Sequence, residues 1–445
     1  MSPRARAKAA LTLAHATVLP RADAAPMPDT DVRIEGHRIV LLGRGLPRDG
    51  KVLDCTGLLV MPGLIHGHVH VCQSLFRGMA PGLELMEWLR ERIWPLEAAH
   101  DAQSLRASAD LAFLELIRSG ATAALDMGTV HHQDVIFESA AAAGFRLTSG
   151  KSMMDAGQGL PRPLREETEA SLRESDRLAT RWHGTENGRL RYAYAPRFVL
   201  TSTEALLRGV AERAGKDGLR VHTHASETQE ECATLRERTG RDTLIHFHAL
   251  GLSGPDVTLA HCVWLTAEER RLLRERRTVV CHCPSSNLKL GSGIAHVTDL
   301  LDDGVPLALG ADGAACNDNL DLFQEMRLCS LLQAVRAGPG VLSSRRVLEL
   351  AQRGGAAALG LSDALGELAP GRLADLVALD LGGPHIQPAD DVVEAVVHAV
   401  RSSDVRHVVI DGRLVMRDRK VLTLDEDQVL ARAQAEAARL RATLA

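Results

Sequence analysis

The stretch PGLIHGHVHVCQSLFR, residues 62–77, runs from two apolar residues (Leu64, Ile65) into three alternating histidines, His66, His68 and His70. Side chains two apart on a strand share a face, so His68 and His70 can present their imidazoles to one point. That is metal-ligand geometry. A histidine-rich surface turn is the competing reading of this stretch alone, and the remaining ligands must come from elsewhere in the chain.

Working outward, residues 62–367 alternate short apolar runs with helical patterns. Strands are expected at 64–70, 121–126, 145–149, 192–195, 221–224, 257–262, 278–283 and 306–312, with helical segments such as 104–120 and 166–184 between them. Such βα alternation predicts an α/β fold, a closed (β/α)8 TIM barrel whose site residues fall at the C-terminal ends of strands. Residues 8–61 instead alternate β-rich runs with Gly, Pro and Asp turns. The same texture returns at 374–381 and 405–418, where Asp411-Gly412 marks a hairpin. The flanks, 1–61 and 368–445, are expected to pair as a small composite β-sandwich domain beside the barrel domain at 62–367. The alanine- and leucine-rich stretch from Gln428 reads as a terminal helix.

Composition narrows the function. With 45% hydrophobic and 24% charged residues the chain is ordinary for a soluble protein. A net charge of −5, spread along the sequence, gives no nucleic-acid footprint and no polybasic membrane face, which leaves a small-molecule substrate. Eight cysteines without regular spacing argue for reduced thiols and a cytoplasmic location. The basic start followed by an apolar run at 9–19 imitates a signal peptide, but Thr and His interrupt the run and it reads better as a first strand. No run of eighteen apolar residues exists, so no transmembrane helix is expected.

Three more fragments supply ligand types. VHTHASE puts His222 and His224 on one face of the fifth strand, with Glu227 three residues after the second; a buried histidine bonded to backbone is the alternative for either ring. LAHC ends the sixth strand in His261. LALGADGAACNDN ends the eighth in Asp312 before Gly313. Three imidazoles and one carboxylate at predicted strand ends suit one divalent metal with a position left for water. Such an ion lowers the pKa of water toward neutrality. Asp312 can ligate and accept a proton, His261 can orient the nucleophile, and Glu227 can protonate the substrate. A two-metal site would want a bridging lysine on strand four, and YAYAPRF has none.

The segments PGLIHGHVH, HTHASE, LAHCVWL, HCPSSNLKLGSG and LGADGAACNDNLDLFQEMR together resemble the amidohydrolase superfamily, in its purine and triazine deaminase and chlorohydrolase branch, over essentially the whole length. The resemblance implies metal ligation by His68, His70, His224 and Asp312, with Glu227 and His261 as proton-transfer and water-positioning groups. The implied cofactor is one divalent ion, zinc before iron. Relatives commonly form dimers or tetramers, so a homo-oligomer is expected. Many relatives have Asn where this chain has His66, which leaves His66 as either a plain neighbour of the site, the favoured reading, or an extra group supporting the ligands.

Substrate signatures are mixed. GLELMEWLRERIWPLE resembles the loop after strand one in deaminases of adenosine-like compounds, which implies Glu87 as a sugar contact and Trp88 as packing. GTVHHQDVIFESA, GKSMMD, RWHG and APRFVLTS resemble guanine deaminase and imply Arg197 as a contact to the purine ring. The eighth-strand segment is nearer to deaminases of 5′-deoxyadenosine, methylthioadenosine or S-adenosylhomocysteine. Deamination of such a nucleoside is the expected reaction; a guanine, pterin or s-triazine hydrolase and a non-catalytic binding protein are the alternatives. His131 and His132 read as a solvated loop, and Cys281 and Cys283 as small buried hydrophobes. The signatures of the other zinc deaminase architecture, of P-loops and of dinucleotide folds are absent.

Overall fold

A computed structural model describes residues 10–79 and 82–443 of the chain. The basic start weighed above as part of a leader, residues 1–9, lies outside the described residues; the apolar run after it forms the strand Ala10–Val18.

Eight parallel strands follow one another around a barrel: β1 (Leu64–His70), β2 (Ala121–Met127), β3 (Arg146–Gly150), β4 (Leu190–Pro196), β5 (Arg220–Ala225), β6 (Val257–His261), β7 (Val279–His282) and β8 (Leu307–Leu309, resuming at Asp312–Gly313). Each pairs in parallel with the next in the chain. The two pieces of β8 close the ring, Leu307–Leu309 against β7 and Asp312–Gly313 against β1. Glycine is required at the break, because a Cβ on Gly310 would lie 2.6 Å from the carbonyl oxygen of His68. Apart from the half-buried Arg191, every strand residue is buried. That is the signature of a parallel sheet covered on both faces.

Helices expected from periodicity appear as Ala102–Arg118 and Thr168–Trp182. The first begins on a capping box in which the Asp101 side chain accepts from the Ser104 amide while Ser104 bonds back to the Asp101 amide.

The terminal segments join in one hydrogen-bonded nine-stranded sheet, held together where Leu58–Pro62 pairs antiparallel with Leu376–Asp380. The hairpin at Asp411-Gly412 has both residues at positive φ, 53° and 73°, as a two-residue turn between twisted strands requires. This sheet has its own apolar cluster, including Leu13, Val32, Ile34, Val60, Leu376 and Val409. A buried ion triad fastens it to the barrel: Arg146, at the start of β3, donates to Asp375 (2.6 and 3.0 Å) and Asp411 (3.1 Å). The terminal helix Glu426–Arg441 packs along Ala102–Arg118, with Arg118–Glu426 and Arg432–Asp110 contacts of 2.6 and 3.0 Å. Among the described residues no helix is long and apolar enough to cross a membrane.

Candidate active site

The C-terminal ends of β1, β5, β6 and β8 converge, and the backbone bends sharply there. Ser226, His261, Cys262 and Asp312 all adopt positive φ, at 50°, 72°, 48° and 60°. Non-glycine residues tolerate that region only when the surroundings enforce it, at about 1–3 kcal/mol each. Here it turns His261 and Asp312 off their strands toward a common point.

His68, His70, His224 and Asp312 offer four ligand atoms within 4.8 Å of one another. His68 Nε2 lies 3.2 Å from Asp312 Oδ1, and His70 Nε2 lies 3.4 Å from the same oxygen. The tautomers reveal what the cluster is for. His70 Nδ1 donates to the carbonyl of Met127 (2.8 Å), and His224 Nδ1 to that of Arg197 (2.6 Å). A carbonyl only accepts, so each ring carries its proton on Nδ1 and presents a bare lone pair from Nε2. Those two Nε2 atoms stand 3.2 Å apart, an arrangement that is no hydrogen bond and that a shared cation reconciles. His68 Nε2 is likewise buried and without a hydrogen-bond partner among the described residues. Burial holds His70 down at about 3, and His224 and His68 are also held low by burial, so the rings are neutral as ligands must be. These residues fit a divalent metal.

His261 and Glu227 flank the cluster. His261 Nε2 is 3.5 Å from Glu227 Oε2 and 3.8 Å from Asp312 Oδ2, and its Nδ1 donates to Asn287 Oδ1 (2.9 Å). Burial opposes the charged imidazolium, but the carboxylates of Glu227 and Asp312 overcome it and hold His261 above its ordinary value. Burial raises Glu227, with Asp312 adding to the shift. A buried carboxyl whose affinity for a proton is raised, beside an imidazole, suits proton transfer.

The segment HCPSSNLKLGSG, read from sequence only as part of a resemblance, supplies the supports. Ser286 Oγ donates to Asp312 (2.7 Å), Asn287 orients His261, and Ser292 Oγ donates to Glu227 Oε1 (3.0 Å). Glu231 accepts from the amides of Ser226 and Glu227 at 3.2 and 2.8 Å, which fixes the turn that carries Glu227.

Of the expected substrate residues, Trp88 and Arg197 line the small cavity above the ligands, with Gln73, Leu85, Leu89, Phe198 and Leu290. Glu87 does not; it is exposed on the short helix Leu85–Trp88. Arg197 is clamped by Glu97, at 2.5 and 3.1 Å, and Gln73 donates to the same carboxylate at 2.9 Å. Sequence reasoning passed over Glu97 although it closes the same stretch as Glu87. His131 and His132 are exposed, His131 bonding the Pro163 carbonyl. His66 lies within the barrel and accepts from the Ala311 amide (3.3 Å). Cys281 and Cys283 are buried free thiols.

The sequence model of the amidohydrolase family matches residues 59–415. A 5-methylthioadenosine/S-adenosylhomocysteine deaminase from Syntrophobacter fumaroxidans is 42% identical over 386 residues, 86% of each chain. A 5′-deoxyadenosine deaminase from Methanosarcina acetivorans is 38% identical over 420 residues, 94% of this chain and 95% of the relative. The crystal structure of an adenosine deaminase from Xanthomonas campestris with bound zinc superposes with a TM-score of 0.91 at 29% identity, covering 97% of this chain and 98% of that one. By motif, architecture and ligand cluster alike, this chain is a hydrolytic enzyme that belongs to the amidohydrolase family.

Proposed function

We propose that the protein is a mononuclear zinc aminohydrolase that removes the 6-amino group of an adenosine-type nucleoside modified at the 5′ position and releases ammonia. The observation that carries this reading is the buried Glu227, 3.5 Å from His261 and beside the four-ligand cluster. The deaminase relatives support the substrate class. A single ion is supported by β4, whose residues Leu190–Pro196 include no lysine that could bridge two.

The bound ion supplies the charge that brings the pKa of water toward neutrality. Asp312 accepts a proton from the attacking water, and His261, held by Asn287, keeps that water aligned with the amine-bearing ring carbon. Glu227 protonates the adjacent ring nitrogen; Asp312 passes its proton to the amine as the C–N bond breaks and ammonia leaves, and the proton of the new hydroxyl returns to Glu227 as the ring carbonyl forms. The open space among the lining residues is about 30 Å³, close to one water's share of liquid volume. Admission of a nucleoside therefore displaces the apolar cover formed by Leu85, Trp88 and Leu89, and Glu87 rides on that cover.

Purified zinc-loaded protein is mixed with 5′-deoxyadenosine, methylthioadenosine and S-adenosylhomocysteine, and ammonia is followed; turnover of none of the three rejects the nucleoside reading. Arg197 in the cavity wall, backed by the buried Glu97, supports as a second reading a free base such as guanine. Glu87→Ala separates the two, because a sugar-dependent enzyme loses substrate affinity and a free-base enzyme does not. All eight cysteines are free thiols, which supports a cytoplasmic location. The exposed Leu331, Val335 and Val341 support a homo-oligomer, which light scattering of the purified protein tests.

A further inference from the structure

Each of the three histidine ligands is steadied at its second nitrogen, and the partners differ in kind. His70 and His224 lean on carbonyls, which accept and never donate. His68 leans on another imidazole: its Nδ1 lies 2.9 Å from Nε2 of His222. His222 and His224 share one face of β5, and His222, fully buried, sits one layer deeper in the barrel.

An imidazole pair can be ordered in two ways. In one, His68 Nδ1–H donates to His222 Nε2, so that His68 Nε2 bears a lone pair and His222 carries its own proton on Nδ1. In the other, His222 Nε2–H donates to His68 Nδ1, and His68 Nε2 carries a hydrogen that prevents ligation. Only the first is compatible with the cluster.

We propose that His222 is a positioning residue that accepts the Nδ1–H of His68 and thereby selects its ligating tautomer and ring orientation. The inference rests on the metal reading above. The state of His222 itself supports it. The first ordering leaves Nδ1–H of His222 as a buried donor, and that atom has no partner among the described residues. A buried unpaired donor is unfavourable, so an apolar side chain would pack better at this position unless the ring served a neighbour. No second acceptor steadies His68, since its remaining nitrogen faces Asp312.

The test compares wild type, His222→Gln and His222→Leu, each prepared metal-free. Zinc affinity is measured by competition with a chelating dye, and thermal melting of the metal-free proteins checks the fold. Gln places a carbonyl oxygen near the position of Nε2 and can accept; Leu fills the space and cannot. The expected result is a zinc Kd weakened about 10- to 100-fold in His222→Leu, the usual effect of removing a group that orients a ligand, and substantially restored in His222→Gln. A Leu variant that binds zinc as tightly as wild type overturns the proposal. Should the Leu variant not fold, ¹⁵N-histidine NMR of zinc-loaded wild type decides, with His222→Gln assigning the resonance: a proton on His222 Nδ1 supports the inference, and one on Nε2 overturns it. Wild type that binds no better than His68→Ala would remove the metal reading and this inference with it. That result is distinguishable from a wild type and a Leu variant that bind equally well.

Discussion

Glu97→Gln cuts one side of the ion pair behind the cavity wall while leaving the side chain's shape nearly unchanged. Both partners have side chains only 4% exposed, and the pair is bidentate. Removing one member leaves the Arg197 guanidinium buried without its counter-charge, which costs about 3–5 kcal/mol. Unfolding entropy scales with chain length at about 2.1 cal/mol/K per residue, or about 0.9 kcal/mol/K for a chain of 445 residues, so the melting temperature falls by about 4 °C. The metal-free protein is the right sample for calorimetry, because bound zinc would add its own stabilisation. Affinity for zinc should fall as well, since the carbonyl of the displaced Arg197 is the acceptor for His224 Nδ1. Glu97→Leu with Arg197→Met supplies the control. With both charges gone and the volume kept, melting should return to within about 1–2 °C of wild type, because replacing a buried pair is far cheaper than breaking it. A single variant that melts within a degree of wild type, or a double variant that melts lower than the single, refutes the reasoning.

Three further outcomes follow from the same geometry. Glu227→Gln should lower kcat about 10²- to 10⁴-fold, the usual worth of a positioned proton donor, while zinc stoichiometry stays unchanged because Glu227 is not in the ligand set. Glu325, buried and bonded to Ser285 and Asn317, is pushed by desolvation from near 4.5 to about 7. Its folded pKa exceeds its unfolded one, so stability is full at low pH and is lost as pH rises through about 7, by about 3 kcal/mol in all. Urea unfolding at pH 5 and pH 8 should show that slope shrink in Glu325→Gln, and an unchanged slope would sink the assignment. Arg146→Met strands Asp375 and Asp411 against each other in the interior and should cost about 3–5 kcal/mol, read as a lower urea midpoint of the metal-free protein.

The clustering of His68, His70 and His224 was legible because it follows from local geometry. His68 and His70 alternate on one strand and His224 follows the same rule on another, so pattern alone places them on inward faces. The Asp411-Gly412 hairpin was legible for the same reason, a turn chemistry confined to two residues. The supports were not. Asn287 reaches His261 from 26 positions away, Ser292 reaches Glu227 from 65, and Glu97 reaches Arg197 from 100; no periodicity in a single chain encodes such pairings. Glu87 and Trp88 are adjacent in sequence but face different ways. Leu85, Trp88 and Leu89 stand at helical offsets of three and four and share the face that covers the cavity, whereas Glu87 adjoins Trp88 in sequence and therefore points off that face. The separate roles expected of the two residues, Trp88 in packing and Glu87 toward the sugar, fit that difference in facing.

The two ends of the barrel carry opposite loads. At the C-terminal end, four non-glycine residues in the left-handed region and three neutral imidazoles with facing lone pairs raise the free energy of the fold unless a cation is bound. At the other end, the start of β3 is tied through Arg146 to the sheet built from the chain's two termini, with all three ion-triad side chains nearly inaccessible to water. Strain placed at the first end persists only if the strands cannot relax by sliding, and the second end is where sliding is blocked. Arg146→Met should therefore loosen the ring of strands without touching the cluster, and hydrogen exchange at β3 and β4 should quicken before exchange at β1 and β5, which a divalent ion held by His68, His70 and His224 would clamp together. Uniform quickening around the barrel would show instead that the terminal sheet and the metal end are one cooperative unit.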